Sequence, residues 1–312
     1  MRARFGTTPS SSSSRIVFKY ISVVSTRSFT APALPVRDGT RCVRQDWEVT
    51  ANRAILNVAA LAELVRSAQP PTLLDVRWTL AKDGRAAYTA GHLPGAVFAD
   101  LDEDLCGPPG AGGRHPLPDP AALEDALRRL GVRAGHPVVV YDAGGANPTG
   151  AAARAWWTLR WAGIENVRVL DGGYQAWVES GQKVTTDVPD ADEGDITVKP
   201  GGMPVWTEVE ASDPRNTLLD ARIPARYRGE IEPVDARAGH IPGARNRPAA
   251  ETVDEHGLLR PAEAPGHEVG AYCGSGVTAA QLVLQGAATA LYVGSWSHWI
   301  TDPSRPIATG EA

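Results

Sequence analysis

Cysteine is scarce in this chain of 312 residues, which holds only Cys42, Cys106 and Cys273. Three scattered thiols rule out a disulfide framework, and neither a CxxC pair nor a His-x-x-x-His pair marks a zinc site. No metal and no cofactor are expected. Long apolar runs are also lacking: nothing approaches the roughly 18 residues of a membrane span. Excess charge is small, with 31 basic against 36 acidic residues and a net charge of −5. That balance predicts a soluble protein without a general nucleic-acid surface. Acids are missing altogether before Asp38, while residues 1–37 carry Arg2, Arg4, Arg15, Lys19, Arg27, Arg37 and a serine run, Ser10–Ser14. Such a composition resembles an organelle transit peptide. Lys19 interrupts the apolar stretch Ile16–Val24, which argues against a secretory signal. A disordered tail, or a start codon placed too early, is the simpler reading of residues 1–54. It goes with a cytoplasmic protein, and organelle targeting is the alternative.

The chain repeats itself on the scale of a domain. Thr72–Arg77 reads TLLDVR and Thr217–Arg222 reads TLLDAR; Gly91–Ala96 reads GHLPGA and Gly239–Ala244 reads GHIPGA. Short apolar runs at Leu73–Val76, Pro137–Tyr141, Val167–Leu170, Leu218–Ala221, Val269–Tyr272 and Leu291–Val293 predict strands. Helical patterns separate them. The clearest covers Pro120–Leu130, with Asp119 as cap, Pro120 in the first position and Gly131 as stop. Fully apolar strands alternating with helices imply parallel sheets covered on both faces. Lys183–Pro204 is rich in Pro, Gly and acids and has linker composition. The expected organisation is therefore domains at 55–182 and 205–302, a linker at 183–204 and a tail at 303–312.

Chemistry concentrates at Cys273. A strand ends at Tyr272, a loop follows with Gly274, Ser275, Gly276, Val277 and Thr278, and an apolar helical pattern begins near Val277. In open parallel sheets, ligands bind beyond the carboxyl ends of strands. Two glycines let successive N–H groups converge on one point, and a helix N-terminus adds partial positive charge. Both favour negative charge on a sulfur, and on a second sulfur carried one atom further out. Such a cysteine can accept a sulfur and hand it on, in a two-step covalent cycle. A buried structural cysteine beside a tight turn is the plain alternative.

The order of these motifs resembles the rhodanese superfamily, in particular its tandem-domain sulfurtransferases, over about residues 55–302. The LLDxR strand, the GH(L/I)PGA turn and a six-residue cysteine loop carry the likeness. So do the closing segments Asp171–Trp177 (DGGYQAW) and Gly294–Trp299 (GSWSHW). The resemblance implies an α/β protein of two rhodanese-like domains, each a parallel sheet with helices on both faces. It implies a persulfide on Cys273, held by Gly274, Ser275, Gly276, Val277 and Thr278. The donor would be a small sulfur compound, and the acceptor a thiol, cyanide or a thioredoxin-like protein. The loop is similar to that of 3-mercaptopyruvate sulfurtransferases, because Gly274 and Ser275 stand where thiosulfate enzymes carry cations suited to a dianion. Arg226 matches the family's carboxylate-binding arginine. A second arginine is usual after the Glu-Pro that follows, but here Val234 follows Glu232-Pro233. The family also implies an interdomain proton relay around Ser275, for which His92 and Asp83 are the first-domain candidates. His92 could instead fix its turn, as His240 repeats it in the other copy.

The first domain should be silent, since Asp142 stands where Cys273 stands in the second. The second domain is short: 33 residues separate His240 from Cys273, against 50 between His92 and Asp142. A cysteine phosphatase would need an arginine six positions after the cysteine, where Ala279 stands, and Tyr272 replaces the preceding histidine. Thiosulfate as the main donor, or a non-catalytic rhodanese-like binding module, are the remaining alternatives.

Overall fold

The computed structural model describes residues 54–81, 83–145, 150–260, 262 and 265–311. The expectations for the N-terminal extension and for Cys42 lie outside the described residues. No helix among the described residues is long and apolar enough to cross a membrane.

The first half runs β1 (Ile55–Leu56), α1 (Val58–Val65), β2 (Thr72–Asp75), α2 (Gly84–Ala90), β3 (Ala96–Phe98), α3 (Pro120–Arg129), β4 (Val138–Tyr141), α4 (Ala151–Trp161), β5 (Val167–Leu170) and α5 (Gly173–Glu179). The second half runs α6 (Glu208–Ser212), β6 (Thr217–Asp220), α7 (Pro224–Tyr227), β7 (Arg245–Asn246), a 3-10 turn at Ala249–Thr252, β8 (Val269–Tyr272), α8 (Ala280–Leu284), β9 (Ala290–Leu291) and α9 (Ser295–Trp299). The strands form two all-parallel sheets of matching order, β1-β5-β4-β2-β3 and β7-β6-β8-β9. A single parallel bridge from Val205 to Leu291 occupies the place beside β9 that β1 holds beside β5. β4 and β8 are buried at every residue, as central parallel strands covered on both faces must be. The expected helix starts where Asp119 Oδ1 accepts from the N–H groups of Ala121 and Ala122, both at 3.0 Å.

The repeated motifs form the same clamp twice. Arg77 grips Asp75 through Nε and Nη2, and Nη2 also donates to the Gly91 carbonyl at 2.7 Å. Arg222 does the same with Asp220 and with the Gly239 carbonyl, again at 2.7 Å. The arginine at a strand end thus ties down the turn that follows, which is why LLDxR and GHxPGA occur together. The Tyr141 and Tyr272 hydroxyls accept from the N–H of Leu93 and Ile241, locking each turn onto the central strand.

The segments flanking the expected domains are tied down. After the second domain, Ala308 pairs with His240 in both directions, and Ile307 packs on the core. Thr185 makes the equivalent pair with His92. The segment expected as a linker is likewise docked, with Ile196 buried and Gly194, Lys199 and Gly202 bonded to the backbone of the first half. Backbone groups need partners whatever the side-chain composition, so Pro- and Gly-rich sequence alone did not mark free chain here.

The two halves share a continuous apolar core. Every residue of α4 except Arg160 is buried, and this core joins α4 to Cys273, Val277 and α8. The shortened α8 has only five residues. Its stability comes from complete burial and from two glutamines that bind the preceding segment. Gln281 reaches the Thr252 hydroxyl at 2.8 Å, and Gln285 the Thr252 carbonyl at 2.7 Å.

Candidate active site

Cys273 follows the last residue of β8 and lines a cleft of about 330 Å³. The second half contributes Ser275, Val277, Thr278, Arg226 and Val234; the first half contributes Trp78, Leu80 and Arg114. Gly276 also belongs to the loop, at φ +77°. A side chain there would meet the Val293 carbonyl at 2.4 Å.

The GSWSHW segment holds the loop. The N–H of Trp296 donates to the Cys273 carbonyl at 3.0 Å, and that of Ser297 to the Gly274 carbonyl at 2.9 Å. The N–H of Cys273 donates to Ser295 Oγ at 3.2 Å. Ser295 adopts φ +55° to do this, the only non-glycine among the described residues at positive φ. Such a conformation costs about 1 kcal/mol or more. With the carbonyls held from behind, the N–H groups of Gly274, Ser275, Gly276 and Val277 find no protein acceptor among the described residues. Four consecutive amide donors beside one thiol make a cradle for an anion.

The first half shows the same cradle filled. Tyr174 and Gln175 donate to the carbonyls of Asp142 and Ala143, and Gly173 takes the positive φ that Ser295 takes in the second half. The Asp142 carboxylate accepts from Gly144 N at 3.0 Å and from Ala152 N, in the first turn of α4, at 3.1 Å.

One expectation about the loop needs correction. No regular helix begins at Val277. The residues before α8 make tight i→i−3 bonds, from Ala280 to Val277, Gln281 to Thr278 and Leu282 to Ala279. A helix this short adds little dipole. Positive charge comes instead from arginines. Arg154, fully buried on α4, donates to the Gly276 carbonyl at 3.3 Å and to the His115 carbonyl at 2.9 Å. Arg114 and Arg226 both approach Gly274: a Cβ there would lie 2.8 Å from Arg114 Nη2 and 3.6 Å from Arg226.

Two buried acids balance Arg114 and Arg226. Arg226 binds Glu232 through Nε at 3.1 Å and Nη2 at 2.6 Å, and reaches Asp235 at 3.1 Å. Arg114 pairs with Asp235 through Nη1. Burial pushes Glu232 up, but hydrogen bonds from Arg226 and from the Asp235 and Val234 N–H groups outweigh it and hold the carboxyl below its usual range. Burial raises Asp235 despite both arginines.

The candidate relay is not assembled. His92 is fully buried, with Nδ1 on the Tyr88 carbonyl at 2.9 Å and Nε2 on the Asp187 carbonyl at 3.1 Å, stacked against the Tyr88 ring. His240 repeats this arrangement with Tyr227. Both histidines fix a turn. Asp83 is exposed, precedes α2 and accepts from the Thr79 hydroxyl. Neither lines the cleft, so the structure brings Cys273, its loop and Arg226 together and leaves His92 and Asp83 outside. Ser275 is buried and lines the cleft with no side-chain hydrogen bond to the described residues.

Sequence reasoning missed Arg114, Trp78 and Leu80. Trp78 donates to Asp102 at 2.8 Å, and the same Asp102 oxygen takes His115 Nε2 at 2.9 Å. Burial drives His115 down to about 4 in spite of that carboxylate. The stretch Gly112-Gly113-Arg114-His115 carries no local pattern that gives a direction in space.

Comparison with known proteins gives the family. The model of the rhodanese-like domain matches residues 57–180 and again 204–302. A putative thiosulfate sulfurtransferase of Mycobacterium tuberculosis is 44% identical over 282 residues, covering 83% of this chain and 98% of that protein. A probable 3-mercaptopyruvate sulfurtransferase of Pseudomonas aeruginosa is 42% identical over 273 residues, covering 79% and 95%. The crystal structure of a 3-mercaptopyruvate sulfurtransferase from Escherichia coli superposes with a TM-score of 0.66 at 30% identity, covering 79% of this chain and all of that one. The chain belongs to the rhodanese family, as a two-domain sulfurtransferase.

Proposed function

We propose that the protein takes a sulfur atom from 3-mercaptopyruvate onto Cys273 and passes it to a thiol or to cyanide. One observation carries this reading: a cysteine opening on an interdomain cleft, followed by four amides without protein acceptors. The Cys273 thiolate attacks the donor sulfur, and the carbon–sulfur bond breaks. Its electron pair leaves as the enolate of pyruvate, which takes up a proton. The second sulfur then rests on Cys273 as a persulfide, whose proton is released and whose negative charge the loop amides can hold. An acceptor thiolate or cyanide attacks the outer sulfur and frees the Cys273 thiolate. A thioredoxin-like protein would present such a thiolate.

Charge counting favours a monoanionic donor. Arg222 is committed to Asp220, and Arg114 and Arg226 face Glu232 and Asp235, cation for anion. The one surplus cation at the site among the described residues is Arg154 beneath the loop, bonded to two carbonyls and a hydroxyl, a match for a monoanion rather than for a dianion such as thiosulfate. Arg226 is the second-domain arginine lining the cleft. Ser275, unpaired in the cleft, is placed to donate to the bound donor.

Incubation with 3-mercaptopyruvate followed by peptide mass spectrometry should find one added sulfur on Cys273. Cys273→Ser should abolish turnover with every donor. kcat/KM should favour 3-mercaptopyruvate over thiosulfate by about tenfold or more, the worth of roughly 1.4 kcal/mol of transition-state binding. An unmodified Cys273 would support the binding-module reading, and the opposite preference a thiosulfate enzyme.

A further inference from the structure

Three arginines beside the cysteine loop grip acids: Arg222 holds Asp220, Arg226 holds Glu232, and Arg114 holds Asp235. Arg154 does not. It is fully buried on α4, and no carboxylate among the described residues pairs with it. Its donors end on the Thr158 hydroxyl at 3.3 Å, the His115 carbonyl at 2.9 Å and the Gly276 carbonyl at 3.3 Å. An isolated buried charge is costly, so a cation kept in a core without a fixed anion is matched to one that comes and goes. The titratable groups nearby do not supply that anion. Burial pushes the Cys106 thiol up although Arg154 pulls it down, so it stays protonated. Burial drives His115 down to about 4, so it is neutral. Asp102 is engaged by Trp78 and His115, and Glu232 and Asp235 by Arg226 and Arg114.

The place of Arg154 beneath the loop is fixed from both halves. Gly150, one turn earlier, lies so close to the second half that a Cβ would stand 2.7 Å from Thr278 Cα and 3.1 Å from the Val277 carbonyl. A Cβ on Gly276 would stand 2.8 Å from Arg154 Nη1. The Gly276 carbonyl and the Val277 N–H belong to one trans peptide unit, so they point in opposite directions. Arg154 holds the carbonyl end. The N–H end points away from Arg154 and is one of the four loop donors without a protein acceptor among the described residues. A cation on the oxygen draws electron density through the peptide and makes its N–H a stronger donor.

We propose that Arg154, from the otherwise silent first domain, is a positioning residue that stabilises the anionic sulfur on Cys273, acting through the Gly276–Val277 peptide. For the persulfide this rests on the sulfurtransferase reading; for the thiolate it rests on the geometry alone. In the resting protein the thiolate is the anion matched to Arg154, and between donor and acceptor the persulfide takes its place. The reactivity of Cys273 then depends on the packing of α4 against the loop, so the domain without a cysteine sets the nucleophile of the other.

The test reads the thiolate without any sulfur transfer. The Cys273 thiolate displaces iodide from neutral iodoacetamide, and the rate against pH, followed by peptide mass spectrometry on the full chain, rises to a plateau through one midpoint. Arg154→Gln keeps a donor for the carbonyls and loses the charge. It should move the midpoint up by about one pH unit, so that alkylation below it slows about tenfold while the plateau is kept. Arg154→Lys keeps the charge and should return the midpoint most of the way. An unmoved midpoint in Arg154→Gln, an equal rise in both variants, or a lower plateau at an unchanged midpoint would each overturn the assignment. Cys273→Ser gives a second readout should Arg154→Gln not fold. The Tm advantage of the wild type over Cys273→Ser should grow as pH rises toward about 8.5, the ordinary thiol value, and Arg154→Lys should retain that growth. A Tm difference independent of pH would overturn the proposal. Absence of a persulfide after 3-mercaptopyruvate, with the midpoint shift intact, would count against the sulfurtransferase reading alone.

Discussion

Replacing Gly276 by alanine tests the cysteine loop most sharply. Its φ of +77° costs an L-residue about 1–2 kcal/mol. The new Cβ would stand 2.4 Å from the Val293 carbonyl and 2.8 Å from Arg154 Nη1. Neither neighbour is free to retreat. Val293 leads into the segment that holds the Cys273 and Gly274 carbonyls, and Arg154 is fixed by the His115 carbonyl and Thr158. Restoring ordinary contact requires a shift of about 1 Å, and overpacking of that kind costs about 1–3 kcal/mol. Together with the backbone term, the loss is about 2–5 kcal/mol, or roughly 4–20 °C in Tm at about 2–4 °C per kcal/mol for a chain of this size. A displacement near 1 Å beside the reacting atom should also lower kcat/KM about 100-fold. Gly286→Ala is the matched control: φ is +82° and nothing lies within 4 Å of its Cβ. It should lose only the backbone term, about 1–2 kcal/mol, and keep its activity. Thermal unfolding and steady-state kinetics on both variants decide the matter. Equal loss of stability in the two, with activity retained in Gly276→Ala, would refute the claim of a rigidly seated loop.

His115 gives a pH signature. Held neutral near 4 by burial, it takes up its proton on unfolding, so stability is full above about 6.5 and falls toward 4. The loss is about 3 kcal/mol over that window. It should appear as a falling Tm that His115→Gln flattens, and an unchanged slope would remove His115 as its source. His92→Gln should lower stability by about 1–3 kcal/mol through its two carbonyl contacts and leave kcat near wild type. A large fall in kcat at unchanged KM would reinstate the proton relay.

The legible features were those carried by local pattern. Six of the nine strands among the described residues were foreseen because they lie in apolar runs bounded by turns. β1, β3 and β7 were not picked out from their two or three residues. The duplicated motifs announced two matching domains, and Cys273 stood out by its glycines. Arg226 was found by position between motifs, although the structure shows its fork already taken by Glu232. For His92 the turn-fixing alternative, suggested by its repetition as His240, is the one the geometry favours: each histidine Nδ1 sits on the carbonyl of the tyrosine before it.

Chain order alone determined the strand sequence, the duplication and which half carries the glycine-flanked loop cysteine, because each depends on neighbours within a few residues or on direct repetition. Tertiary structure alone decided what surrounds that thiol. Arg114 and Arg154 lie 159 and 119 positions before Cys273, and they reach its loop only because α4 packs on α8 and joins the two halves in one core. Charge at the sulfur is set by distance in space, which no linear spacing records.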